Sequence, residues 1–118
     1  MSNHRDRDLL NLAHLLHECC NCQRYVVEGL EPAHQNGIVA GKGQSIKSQD
    51  HRHAALCPDG PGRVGCHTWY DRGISIDPTG IYGPTPPEKN EMWTRAHLAT
   101  FDRYWANGWL KVVTRGRT

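Results

Sequence analysis

The sequence predicts a small α+β domain stapled by a metal ion, and three observations predict it. Four cysteines fall in two pairs, Cys19-x2-Cys22 and Cys57-x8-Cys66, with 34 residues between them. Short β-prone segments lie between and beside the pairs, and helical signals stand toward both ends of the chain. The 118 residues, only 37% of them apolar, suffice for one domain with one modest core, which a bound metal would reinforce.

Asp8 followed by LLNLAHLLHE reads as a short helix that Asp8 caps, with Leu9, Leu12, Ala13 and Leu16 at helical spacing. It ends at CCNC, where Cys19, Asn21 and Cys22 suit a tight turn. Tyr25-Val26-Val27 is β-prone, Gly29 breaks it, and Leu30 to His34 forms the return strand, with Pro32 tolerated only at an edge. Residues 35–50 carry glycines and polar residues without periodicity, and a loop this long in a small domain is more often functional than idle.

His53 to Leu56 is a short strand running into Cys57, PDGPGRVG is a turn-rich insert, and CHTWYDRG opens a helix at Cys66. Residues 73–87 show no clear pattern. Thr85-Pro86-Pro87-Glu88 is a capping box with proline at the first helical positions. A helix is therefore expected over 86–107, with Met92, Trp93, Ala96, Phe101, Tyr104 and Trp105 in the core. Asn107-Gly108 closes it, and an extended segment, Trp109 to Val113, begins the basic tail 108–118 with Lys111, Arg115 and Arg117. No internal repeat or domain boundary is visible, so 1–118 is read as a single domain.

The mean hydropathy is −0.68 and no stretch approaches the roughly 20 apolar residues of a membrane span. Met1 to Asp8 is polar, without an apolar h-region, so no secretory signal is expected and the cytoplasm is the expected compartment. Fourteen Lys+Arg minus twelve Asp+Glu gives +2, too mild to prove a nucleic-acid partner. The distribution says more, because no acid falls between Pro32 and Gln49, where Lys42 and Lys47 stand among glycines.

Zinc takes four soft ligands in a tetrahedron, and a CxxC turn brings two thiolates to one side of the metal. In a chain expected to stay in a reducing compartment, Cys19, Cys22, Cys57 and Cys66 favour a structural Zn2+ over reduced core thiols or disulfides. The glycines and prolines between Cys57 and Cys66 can fold the eight extra residues into a bulging loop. Cys20 is left as a free thiol or as a ligand in place of Cys19.

Four of the eight histidines, His34, His51, His53 and His67, lie between the cysteine pairs or beside one. His67 and Asp71 are four apart, so on a helix they share a face and can point at one ion or one phosphate. A strand carrying His34, a second strand and a helix carrying His67 make a workable site for metal-assisted phosphodiester hydrolysis. One imidazole would deprotonate water while one divalent ion stabilises the leaving oxygen. His51 and His53 read as loop or surface residues, Asp50 as a turn cap or site residue, and His4, His14, His17 and His97 as uninvolved.

With Cys19-x2-Cys22, Glu31-Pro-Ala-His34, Leu56-Cys57 and Cys66-His67 in this order, the chain resembles the zinc-bound HNH endonucleases, whose active site is a ββα-metal finger. It is similar in particular to small phage HNH-type proteins related to the RecA-dependent nuclease Ref, through Ala33-His34, Gly41-Lys-Gly43 with Lys47, Asp50, Cys57…Cys66-His67 and Asp71. The resemblance covers about residues 19–72. It implies a zinc-stapled ββα-metal, treble-clef-like core with a helix on either side, and cleavage or nicking of DNA, single-stranded or recombinase-bound DNA included. It implies His34 as the base that activates water, and His67 with Asp71 or Asp50 as the site of a catalytic Mg2+ or Mn2+. Lys42, Lys47, Arg52 and Arg72 would then hold backbone phosphates. Ala33 stands where the family carries an Asp or His ligand, and Arg52 where it carries an Asn. The alternative is a non-catalytic zinc module that binds nucleic acid or a protein partner.

Overall fold

The computed structural model describes residues 7–35, 51–72 and 86–110. Three helices and one two-stranded sheet follow in order: α1 (Arg7–Asn11), a 3₁₀ turn (Leu12–Leu15), β1 (Glu31–His34), β2 (His53–Leu56), α2 (Cys66–Arg72) and α3 (Pro86–Ala106). Among the described residues, no helix is long and apolar enough to cross a membrane.

The N-terminal helix differs from the expectation. Asp8 lies inside α1 and does not cap it, and the helix tightens to 3₁₀ from Leu12, which turns Ala13 and Leu16 into the core. The expected hairpin of Tyr25–Val27 with Leu30–His34 is also replaced. Tyr25 makes only an isolated bridge to Glu18, and Tyr25 and Val27 stand exposed. The chain turns instead at Gly29, whose φ of 95° and approach to the His14 carbonyl leave no room for a side chain: a Cβ there would lie 2.1 Å from that oxygen.

The true partner of β1 is β2. The strands run antiparallel, with Glu31 opposite Leu56, Pro32 opposite Ala55, Ala33 opposite Ala54 and His34 opposite His53. A sheet of two strands leaves Pro32 on an edge, where its missing N–H costs nothing.

One face of α3 seals the free edge of β2. The Ala55 N–H donates to Thr100 Oγ1 at 2.8 Å, and the His97 ring bonds the His53 carbonyl through Nδ1 at 2.7 Å. The Cys20 N–H donates to the Ala55 carbonyl at 3.2 Å, and Trp93 Nε1–H donates to the Ala33 carbonyl at 2.9 Å. Trp93, His97, Thr100 and Tyr104 recur at helical spacing, so one stripe of α3 supplies both the polar seal and much of the apolar cover. His53, expected at the surface, is fully buried and shares a 2.9 Å hydrogen bond with the Tyr104 hydroxyl through Nε2. Trp105, expected in the core, is half exposed on the outer side of α3.

The helix closes with bonds from Gly108 N–H to the Trp105 carbonyl and from Trp109 N–H to the Tyr104 carbonyl, the expected cap. Thr85, which begins the expected capping box, and residues 111–113 lie outside the described residues.

Replacing Tyr104 by Phe strips the buried His53 ring of its Nε2 partner while keeping the packing volume. Tyr104→Phe should destabilise the chain by about 1–3 kcal/mol in denaturant unfolding, the cost of an unsatisfied buried polar group. An unchanged midpoint would show that the bond carries no stability.

Candidate functional site

The four paired cysteines converge. The sulfurs of Cys19, Cys22, Cys57 and Cys66 all lie within 4.8 Å of one another, and Cys22 Sγ is 3.8 Å from Cys57 Sγ. A tetrahedral zinc with Zn–S near 2.3 Å needs S···S edges of about 3.8 Å, so the cluster can hold a metal ion such as zinc. All five cysteines are unbridged.

Local backbone builds each half of the cluster. In the first turn the amides of Asn21 and Cys22 donate to Cys19 Sγ at 3.4 and 3.5 Å, and the Gln23 N–H closes the turn on the Cys19 carbonyl. In the second, the Cys66 N–H donates to Cys57 Sγ at 3.3 Å. The eight residues between fold into a small turn closed by reciprocal bonds between Gly60 and Arg63, and Asp59 Oδ1 accepts the Gly65 N–H at 2.8 Å. Gly65 passes so close to the Cys57 and Pro58 backbone that a Cβ would lie 2.3–2.4 Å from it, so the return to the cysteine cluster requires glycine there. Asn21 Nδ2 donates to Cys66 Sγ at 3.3 Å and ties the two halves together.

Three of the sulfurs share protons. Hydrogen bonds from the Cys57 and Cys66 thiols, backed by the Cys22 and Asn21 amides, hold the Cys19 thiol far below the usual range. Cys66 and Cys57 are pushed up, first because each shares its proton with Cys19 and then because they are buried. A divalent ion bound there would displace those protons and pair with all four sulfurs. Cys20 lies outside the cluster, so Cys19 and not Cys20 is in the group that could hold a metal.

His67 follows Cys66 in the first turn of α2, so the metal cluster sets where its ring begins. Its Nδ1 lies 2.8 Å from Glu31 Oε1 of β1 and its Nε2 lies 3.0 Å from Asp71 Oδ2, one helical turn on. The Asp71 carboxylate first, then Glu31, raises the ring to about 9 against the opposing effect of burial. Without an ion it is an imidazolium that donates from both nitrogens.

His34 ends β1, half buried and opposite His53. Strand alternation gives it the face away from Glu31, so the groups brought to the His67 ring are the two carboxylates. Arg52 is exposed and donates to Gln35 Oε1 at 3.0 Å, and Arg72 ends α2 in solvent. His51 is exposed in the turn before β2. Lys42, Lys47 and Asp50 lie outside the described residues.

Two residues of the site went unread in the sequence, Glu31 and Asn21. Glu31 is two positions before Ala33, hence on the same strand face, and that spacing was the available signal. No family model, curated protein or solved structure matches the chain.

The chain should purify with one zinc per molecule by elemental analysis. Stripping it with a chelator should abolish cooperative unfolding and the near-ultraviolet circular dichroism of the buried tryptophan. A chelated chain that kept its transition would show that the four sulfurs do not hold the fold.

Proposed function

We propose that the chain is a metal-dependent HNH-type endonuclease or nickase that hydrolyses DNA phosphodiester bonds on a zinc-stapled ββα-metal, treble-clef-like scaffold. The observation that carries this is the coupling of two sites. The residue after the fourth metal-cluster cysteine is a histidine whose ring meets a carboxylate on each nitrogen, at the side of a two-stranded sheet. His67 Nε2 and Asp71 Oδ2 lie 3.0 Å apart, so both donors stand where one ion could replace the proton between them.

His67 and Asp71 would hold the divalent ion, Mg2+ or Mn2+. Bound there, it would polarise the phosphodiester and stabilise the leaving oxygen. His34 would take the proton from the attacking water at the end of β1. Arg52 and Arg72, with Lys42 and Lys47 from outside the described residues, would line the path of the nucleic acid and hold phosphates without reading bases, and Asp50, also outside them, would serve the ion.

A second assignment, a zinc module that binds nucleic acid or a protein partner without cutting, is favoured by one observation. His34 sits on the strand face opposite Glu31, away from the carboxylates around His67.

A plasmid-nicking assay with Mg2+ or Mn2+ separates the two. The native chain should nick supercoiled DNA, and His34→Ala and His67→Ala should each lose at least about 100-fold, the lower range for loss of a general base or a metal ligand. No cutting with any divalent ion would sink the enzyme and leave the binding module. Cutting that survives His34→Ala would remove His34 as the base.

A further inference from the structure

Glu31 has no place in the metal pair just proposed, yet it makes the shorter of the two contacts to His67, 2.8 Å against 3.0 Å. The two nitrogens of an imidazole point in diverging directions, so Glu31 and Asp71 cannot both share one ion with the ring. One is a co-ligand and the other must act through His67.

The two carboxylates are about equally open, their side chains 44% and 47% exposed, but they stand on different elements. Glu31 opens β1 directly after fully buried Leu30 and pairs across the sheet with fully buried Leu56. Asp71 is exposed in the last turn of α2 beside exposed Arg72. Small divalent ions such as Mg2+ keep several waters, and the endonuclease assignment places the ion on the Nε2 side of His67, where Asp71 lies at 3.0 Å.

Resting on the endonuclease assignment above, we propose that Glu31 is the positioning residue of the site. It accepts the Nδ1–H of His67, fixes the tautomer, and so presents the Nε2 lone pair beside Asp71 to a divalent cation. Histidine ligands commonly donate their second N–H to such a carboxylate. Here the carboxylate comes from the same strand face as Ala33, so β1 contributes an orienting group where the related pattern carries a ligand.

Manganese binding tests this on the full, zinc-loaded chain, by electron paramagnetic resonance titration and without any cleavage readout. Glu31→Gln keeps an acceptor for Nδ1–H and should bind Mn2+ within about threefold of the native chain. Glu31→Ala should bind about 10–100-fold more weakly at unchanged zinc content, the usual effect of losing an outer-shell partner. Asp71→Asn should lose the site. Nitrogen-15 spectra of the Mg2+-loaded chain should show His67 protonated at Nδ1 in the native and Gln forms, and a tautomer mixture in the Ala form.

A Glu31→Gln variant that loses as much affinity as Asp71→Asn would make Glu31 a direct ligand and overturn the proposal. So would a Glu31→Ala variant that binds like the native chain, in which case the endonuclease assignment stands and only the role of Glu31 falls. A native chain that binds no Mn2+ at all defeats both. Should Glu31→Ala fail to fold, the Gln variant and the native tautomer still decide.

Discussion

Four sulfurs meeting at one point are the constraint on which the rest of the structure depends. The elements around them are too short to stand alone: a helix of five residues, two strands of four and a helix of seven. A sheet of two such strands is marginal in water without something to hold it. Cys57 follows the last residue of β2 and Cys66 is the first of α2, so the cluster pins the end of the sheet to the start of the helix. Cys19 and Cys22 bring the N-terminal turn to the same point. One ion held there would fix the angle between sheet and helix, and with it the place of His67.

The second constraint is the sealing of the sheet edge by α3. A bare edge strand would expose unpaired N–H and C=O groups, and burying it without partners would cost more than the apolar contact returns. Thr100, His97 and the Cys20 amide supply those partners, and Tyr104 satisfies the His53 ring beneath them. The same helix therefore covers the sheet and settles its polar groups. Its outer face, with Leu98 and Trp105, takes no part in this.

What the sequence made legible was local chemistry. The CxxC turn, the looped insert before Cys66, the helix opened by that cysteine and the cap at Gly108 all follow from residues close together in the chain. The pairing of β1 with β2 was not legible, because it spans the 18 residues between His34 and His53 and competed with a nearer β-prone segment at Tyr25. The surface assignment of His53 failed for the same reason: only the distant Tyr104 makes its burial tolerable. Glu31 was passed over because its place on the Ala33 strand face gains a role only once the strand pairing puts it against a helix 36 residues away.

Zinc K-edge X-ray absorption on the purified full-length chain tests the sulfur clamp most directly. Four sulfur scatterers at about 2.3 Å and no light-atom neighbour in the first shell are predicted. A first shell containing nitrogen or oxygen, or fewer than four sulfurs, would contradict it, because the ion would then not be the point that joins β2, α2 and the N-terminal turn.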